Sequence, residues 1–311
     1  MIVKKPDFWD EKNFNFRSLV LTPLTLPLII SNIFLDNKGR KPKDKHKLIC
    51  IGNIYLGGTG KTPLTIKLFE IIQKFEKRVG VVKKYYKDQI DEQLILSKKT
   101  KLYCNKNRYE ALKNSLKNKD RIIIFDDGLQ DLNIKYDLSF VCFDQDKLVG
   151  NGRLIPSGPL REKISSLSKY DAIFFKGKKK NDSNFIKKVK NYNNKIKIFN
   201  FFYEPKKIKK FKNKKFLIFS GIGNPESFEN LLKEYKIKIE KKIIFPDHYN
   251  YKKQDIKKIT DIAKKDKLKI LTTKKDFVKI KKFKNKKIQF LDIDVKFKEK
   301  TKLIKFLKEN L

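Results

Sequence analysis

The chain has 311 residues, 40% of them apolar and 12% aromatic, which supports one large or two ordinary domains and excludes wholesale disorder. It carries 76 Lys and Arg against 35 Asp and Glu, a formal +41. With His46 and His248 as its two histidines, and with Cys50, Cys104 and Cys142 showing no C-x-x-C spacing, a histidine-built zinc site is excluded and the cysteines read as free thiols.

Residues 19–35, LVLTPLTLPLIISNIFL, form the longest uncharged apolar run. A spanning helix needs about 20 apolar residues, and this run is shorter and interrupted by Pro23 and Pro27. A secretory signal is disfavoured, because no earlier basic stretch or clear small-residue cleavage site is present. The run reads as an embedded or interfacial N-terminal anchor, flanked by Arg17, Lys38 and Arg40 for lipid headgroups, or else as a buried hairpin.

From Lys47 the pattern alternates strand and helix. KLICIG is a strand; Leu64, Leu68, Ile71, Ile72 and Phe75 then recur at helical spacing, with Pro63 in the first turn. RVGVV is the next strand, and DEQLIL opens another helix. TKLYC, RIIIFDD, LSFVCFD, DAIFFK and KIFNFFY follow as strands. Lysine-rich stretches around 176–190 and 205–215 read as a surface loop and a linker. A second block then offers FLIFSGIGNP, KKIIF, LKILTT and KIQFLDI as strands, with helices near 225–235 and 252–265. Such alternation predicts an α/β fold with mostly parallel sheets covered on both faces, and ligands at the carboxyl ends of the strands. The expected segments are an apolar N-terminal membrane-associating stretch (1–40), a nucleotide-binding α/β/α domain (41–204), a linker (205–214) and a smaller α/β/α domain (215–311).

Glycine is scarce, 13 in all, yet GNIYLGGTGKTP places three within four positions before Lys61 and Thr62. A strand, this loop and then a helix are the context of a P-loop: backbone N–H groups and the helix dipole favour phosphate. Tyr55, Leu56, Gly57, Gly58, Thr59 and Gly60 would form the cradle. Lys61 would reach the β- and γ-phosphates and the Thr62 hydroxyl would bind Mg²⁺. The strict pattern has glycine where this chain has Tyr55. RIIIFDDGLQ sets Asp126 and Asp127 at a strand tip, where carboxylates serve Mg²⁺, although an Asp-Asp-Gly turn alone can be purely structural.

GNGRLIPSGPLRE holds Arg153, Arg161 and Glu162 in a glycine-bearing loop. Arginine in a chain that usually chooses lysine points to bidentate phosphate binding. FPDHYNY sets His248 beside Asp247 and two tyrosines; a lone histidine of this kind is often structural.

Taken in order, GNIYLGGTGKTP, DEQLIL, DDGLQ, GNGRLIPSGPLRE, SGIGNPESF, FPDHYNY and TTKKD make the chain resemble the tetraacyldisaccharide 4'-kinase family, the lipid A 4'-kinases of Gram-negative bacteria, over most of its length. The resemblance implies a P-loop-containing α/β/α sandwich with a second, smaller α/β/α domain and the active site in a cleft. It implies transfer of the γ-phosphate of ATP, with Mg²⁺, to the 4'-hydroxyl of tetraacyldisaccharide 1-phosphate, giving lipid IVA in lipopolysaccharide biosynthesis. The implied partners are this acylated glucosamine disaccharide 1-phosphate lipid and the cytoplasmic face of the inner membrane, held peripherally or by the N-terminal anchor. No obligate protein partner is evident.

By the same resemblance Asp91, in DEQ, is the catalytic aspartate and His248 its partner, Lys61 and Thr62 are the P-loop pair, and Asp126 and Asp127 the Mg²⁺-associated carboxylates. Arg108, Arg161 and Glu162 match positions needed for activity. The chain departs from the family at Lys83-Lys84-Tyr85-Tyr86, where RGYG is usual, at Asp131, where His is usual, and at Lys274, where Glu is usual. Two other readings compete: a P-loop NTPase or kinase with a soluble substrate, and a non-catalytic basic protein on membranes. The charge invites a nucleic-acid reading as well, but lysine is spread evenly beside abundant Asn, Ile and Phe, as an AT-rich genome encodes, and no nucleic acid is expected.

Overall fold

The computed structural model describes residues 5–11, 15–34, 46–131 and 133–311. Lys38, Arg40 and the last residue of the apolar run, Leu35, lie outside them. The described chain forms two compact units, one of residues 5–85, 99–202 and 295–311, the other of residues 86–98 and 203–294.

In the first unit, two short helices, α1 (Phe16–Val20) and α2 (Leu26–Phe34), precede β1 (Lys47–Gly52) and α3 (Lys61–Ile72). β2 (Val79–Lys84) follows. The chain then contributes α4 (Ile90–Ser97) to the second unit and returns with β3 (Leu102–Asn105), α5 (Arg108–Lys117), β4 (Ile122–Asp126), β5 (Leu138–Asp144) and β6 (Ala172–Lys176). α6 (Ser183–Tyr192) and β7 (Lys197–Pro205) come next. The second unit holds β8 (Lys215–Ser220), α7 (Pro225–Glu234), β9 (Lys238–Ile244), α8 (Lys253–Lys265), β10 (Lys269–Thr273), α9 (Lys274–Ile280) and β11 (Ile288–Leu291). β12 (Ile293–Phe297) and α10 (Lys300–Asn310) end the chain.

Among the described residues the strands make two sheets, in the orders β12-β7-β6-β5-β1-β4-β2-β3 and β11-β10-β8-β9. β1 pairs in parallel with β4 on one side and β5 on the other, so the strand order reverses at β1 and opens a crevice at its carboxyl end. β8 occupies the equivalent place between β10 and β9. Its alternate residues serve the two faces: Leu217 and Phe219 pack with Tyr251, Ile256 and Ile259, and Phe216 and Ile218 with Phe228, Leu232 and Ile237.

Two expectations about domain limits need correction. Residues 86–98, expected with the P-loop, belong to the second unit because α4 packs on α9. Residues 295–311, expected with the smaller domain, belong to the first: β12 extends the large sheet and α10 sets Phe306 5.6 Å from Phe199 and 6.1 Å from Phe140, ring to ring. The lysine-rich stretch expected as loop contains α6, capped by the Asp182 carboxylate, with Phe185 and Val189 one turn apart in the core. Its lysines mask a narrow apolar stripe.

The N-terminal segment lies against the first unit. Trp9 is buried and donates to the Pro156 carbonyl (3.0 Å), Ser18 bonds Ser157, and Leu28 and Ile29 pack on the core. Phe16, Leu19, Val20, Leu24, Leu26 and Ile30 are exposed instead. No helix of the described residues is long and apolar enough to cross a membrane. Cys50 and Cys142 are buried, which pushes both thiols up, and Cys104 is exposed.

Candidate active site

The loop between β1 and α3 folds as its glycines require. Gly60 caps α3 in the left-handed region (φ 91°), a conformation that side chains resist, and the helix then starts on Lys61 with its free N–H groups facing the loop. Leu56 N–H donates to Pro159 and Thr59 N–H to Gly57. The Asn53 amide donates to the Tyr55 and Gly57 carbonyls and accepts from Lys61 Nζ at 3.1 Å. Lys176, at the tip of β6, pairs with Asp144 at 2.6 Å and lies 3.5 Å from the Gly58 carbonyl. The Thr59 hydroxyl is buried with no hydrogen-bond partner among the described residues.

At the tip of β4, Asp126 Oδ2 accepts from the Thr62 hydroxyl (3.0 Å) and from Lys83 Nζ (2.9 Å), and Oδ1 from the Thr65 hydroxyl (3.1 Å). Asp127, in the left-handed region at φ 64°, turns to other cations: Arg161 at 3.2 Å and Lys61 at 3.7 Å. Burial opposes its charge, but Lys61, Arg161, Lys83 and Arg108 hold its carboxyl below the ordinary value. Arg108 donates to the Asp127 carbonyl and pairs with Asp131 at 3.0 Å. Buried Glu162 accepts from Gln130 (2.6 Å) and Tyr170 (2.6 Å), and the Gln130 carbonyl oxygen accepts from Arg161 (3.2 Å). Glu162 thus orients the group that orients Arg161.

The first unit therefore brings Lys61, Thr62, Arg108, Asp126, Asp127, Arg161 and Glu162 into one network. The donor set also fits a hard divalent ion: the Thr62 hydroxyl and the Asp126 carboxylate are adjacent oxygens beside a phosphate-binding helix terminus, as Mg²⁺ prefers when it keeps waters and takes phosphate oxygens.

The second unit gathers another set. The carboxyl ends of β8, β9 and β10 carry Gly221, the 246–249 turn and Thr273, and α4 brings Asp91 beside them. Asp91 Oδ1 lies 3.6 Å from His248 Nδ1; Lys279 Nζ is 3.4 Å and Lys275 Nζ 3.9 Å from Oδ2. Asp91 is 2% exposed, and neither of its carboxylate oxygens has a hydrogen bond among the described residues. Burial again opposes the charge, while His248, Lys275 and Lys279 hold the carboxyl below its ordinary value. A buried carboxylate held charged by neighbouring cations yet without a hydrogen bond is unusual.

A parallel sheet with a phosphate loop at its switch point and a threonine–aspartate pair beside it defines a nucleotide-binding protein of the P-loop α/β class. More narrowly, the chain belongs to the tetraacyldisaccharide-1-P 4'-kinase family, whose model matches residues 30–311. It is 41% identical to a tetraacyldisaccharide 4'-kinase of Pelagibacter ubique over all of both chains. It is 36% identical to that of Rickettsia bellii over 88% of this chain and 89% of the other. Its fold matches a solved structure of LpxK from Aquifex aeolicus in complex with ATP (TM-score 0.70, 22% identity, 94% of this chain and 99% of that one).

The departures from the family pattern have local explanations. Tyr55 is not among the residues at positive φ, so its backbone needs no glycine; its buried ring packs beside Gly57 and its hydroxyl donates to Asp10 (2.6 Å). Lys83 keeps the positive charge on Asp126, Asp131 gives Arg108 a carboxylate, and Lys274 pairs with Asp292 at 2.7 Å. Sequence reasoning passed over Asn53, Gln130, Lys275 and Lys279 as site residues. For the two lysines a signal existed, their spacing of four on one helix face. In a chain with 76 Lys and Arg that signal carries no weight by itself.

Proposed function

We propose that the chain transfers the γ-phosphate of ATP to the 4'-hydroxyl of tetraacyldisaccharide 1-phosphate, forming lipid IVA. The observation that supports the chemistry best is Asp91, a buried carboxylate without hydrogen bonds facing the His248 imidazole. A sugar hydroxyl must lose its proton as its oxygen bonds to phosphorus. In this reading the proton goes to Asp91, oriented by His248, while the bond from the γ-phosphorus to the bridging oxygen breaks and ADP leaves. Loose apo contacts of this kind commonly tighten when substrate binds.

Lys61 and the α3 terminus hold the β- and γ-phosphates, and Arg161 and Arg108 meet the charge on the moving phosphoryl group. Thr62 and Asp126, with Asp127 nearby, would hold Mg²⁺, which would supply charge neutralisation on the phosphate oxygens. The phosphate loop belongs to one unit and the proposed proton acceptor to the other.

The protein works at the cytoplasmic face of the inner membrane, where ATP meets the acylated substrate. Supporting this, Phe16 is 69% and Leu24 62% exposed on a segment whose other face is tied to the fold. Exposed apolar side chains grouped this way suit a lipid surface better than a soluble substrate.

The deciding experiment is transfer of labelled γ-phosphate to purified tetraacyldisaccharide 1-phosphate in detergent micelles, with Asp91→Asn alongside. Mg²⁺-dependent product is expected, and the variant should bind ATP yet lose about 10²–10⁴ in turnover. Full turnover in Asp91→Asn removes Asp91 from the mechanism. No transfer by a folded native chain that binds ATP rejects the substrate.

A further inference from the structure

Helix α9 carries Lys275 and Lys279 one turn apart, on the face turned to α4. They serve Asp91 differently. Lys275 Nζ is spread over Glu92 (3.0 Å), Asp247 (3.5 Å) and His248 Nε2 (3.4 Å), and reaches Asp91 Oδ2 at 3.9 Å. Lys279 Nζ comes closer to Asp91 Oδ2, at 3.4 Å, and is held there by Asp276 Oδ1 (3.5 Å), the Gly221 carbonyl (3.4 Å) and the face of the Tyr251 ring (5.9 Å).

Its anchor is firm. Asp276 is buried and accepts from the hydroxyls of Tyr251 (3.0 Å) and Thr273 (2.7 Å). Lys279 therefore joins four separated stretches of sequence, DEQ, SGIGNP, FPDHYNY and TTKKD, at one ammonium. The two oxygens of Asp91 face different partners: Oδ2 faces the lysines and Oδ1 faces His248 Nδ1.

We propose that Lys279 is a positioning residue for Asp91: its ammonium holds Oδ2, so that Oδ1, at the imidazole, is the oxygen left to receive the substrate proton. This rests on the reading of Asp91 as proton acceptor. Physically, a free carboxylate can rotate and present either oxygen; a cation fixed on one of them removes that freedom. The same cation keeps the carboxylate ionised although it is buried. The charged and titratable groups around Asp91 are Glu92 on its own helix, Lys275, Asp276 and Lys279 on α9, and Asp247 and His248 after β9. Lys279 is the nearest of these basic groups, and it lies on the opposite oxygen from His248.

The test uses the full chain with Lys279→Met, Lys279→Arg and Asp91→Asn. The readouts are kcat, KM for ATP, the acid limb of the kcat–pH profile, and the Asp91 carboxyl titration by ¹³C NMR, assigned by its absence in Asp91→Asn. Lys279→Met should lower kcat roughly 10- to 100-fold, the scale of a misplaced catalytic group. Its KM for ATP should stay native and its acid limb should move toward neutral pH, while Lys279→Arg recovers most of kcat and restores the limb. A merely structural role would lower the melting temperature without moving the limb.

Native kcat and a native acid limb in Lys279→Met, with Asp91→Asn inactive, overturn the positioning role and leave the proton acceptor in place. Full turnover in Asp91→Asn instead overturns the acceptor itself, and the proposal with it. If Lys279→Met does not fold, the native chain and Lys279→Arg still decide. Their Asp91 carboxyl must titrate below the ordinary aspartate range, and titration within that range overturns the proposal.

Discussion

Lys83 Nζ lies 2.9 Å from Asp126 Oδ2, and both side chains are almost wholly buried. The ammonium pairs with a carboxylate that also accepts from Thr62 and Thr65, so the aspartate is oriented beside the phosphate loop. A buried ion pair of this kind adds little net stability over an apolar pair, but losing one partner strands the other.

Lys83→Met should therefore destabilise the protein by about 3–5 kcal/mol. Adding Asp126→Asn should recover part of the loss, since no buried charge is then unbalanced. Urea denaturation of the native chain, the single variant and the double variant reads both effects. A single variant within about 1 kcal/mol of native, the scale of an exposed pair, shows that Lys83 is dispensable to the fold.

Acid should weaken the fold through Asp10, Asp91 and Asp127, all held below their ordinary value. Each binds a proton more readily in the unfolded chain, so its contribution is present above about pH 4 and is lost as pH falls through the lower folded value. Melting temperature, as far as these groups set it, should be level from pH 5 to 7 and fall below about pH 4. Asp127→Asn should make the acid decline shallower; an unchanged decline assigns it to other carboxylates.

Tyr55→Gly, which restores the strict loop pattern, should harm rather than help. It empties a buried aromatic site beside Gly57 and should cost about 3 kcal/mol or more. Tyr55→Phe keeps the ring but loses the hydroxyl, which donates to Asp10 and accepts from Lys5, and should cost about 1–2 kcal/mol. Thermal unfolding with and without ATP separates the two. Tighter ATP binding in Tyr55→Gly would mean that the ring obstructs the nucleotide.

The exposed apolar face at the N-terminus predicts lipid binding. Replacing Phe16 and Leu24 by Asp should leave the melting temperature unchanged, since both side chains are exposed. Binding to anionic vesicles should fall, because two apolar anchors lost at about 1.5 kcal/mol or more each correspond to roughly 100-fold. Equal sedimentation of variant and native chain with vesicles would move the membrane contact elsewhere.

Much of this protein was determined by local sequence. The alternation of buried strands with helices at 3.6-residue spacing, the glycine-rich turn before Lys61 and the paired aspartates at 126 and 127 are properties of short stretches. They depend on backbone conformation and on nearby side chains, so they read directly. Tertiary structure alone decided the rest. That residues 295–311 return to the large sheet follows from Phe306 finding Phe140 and Phe199, aromatic packing between residues more than 100 positions apart. Helix α6 was hidden because its lysines outnumber the two residues that bury it. Lys275 and Lys279 were invisible for a similar reason: in a lysine-rich chain a lysine gains meaning only when the fold sets it 3–4 Å from a buried carboxylate, where low polarizability makes each charge count.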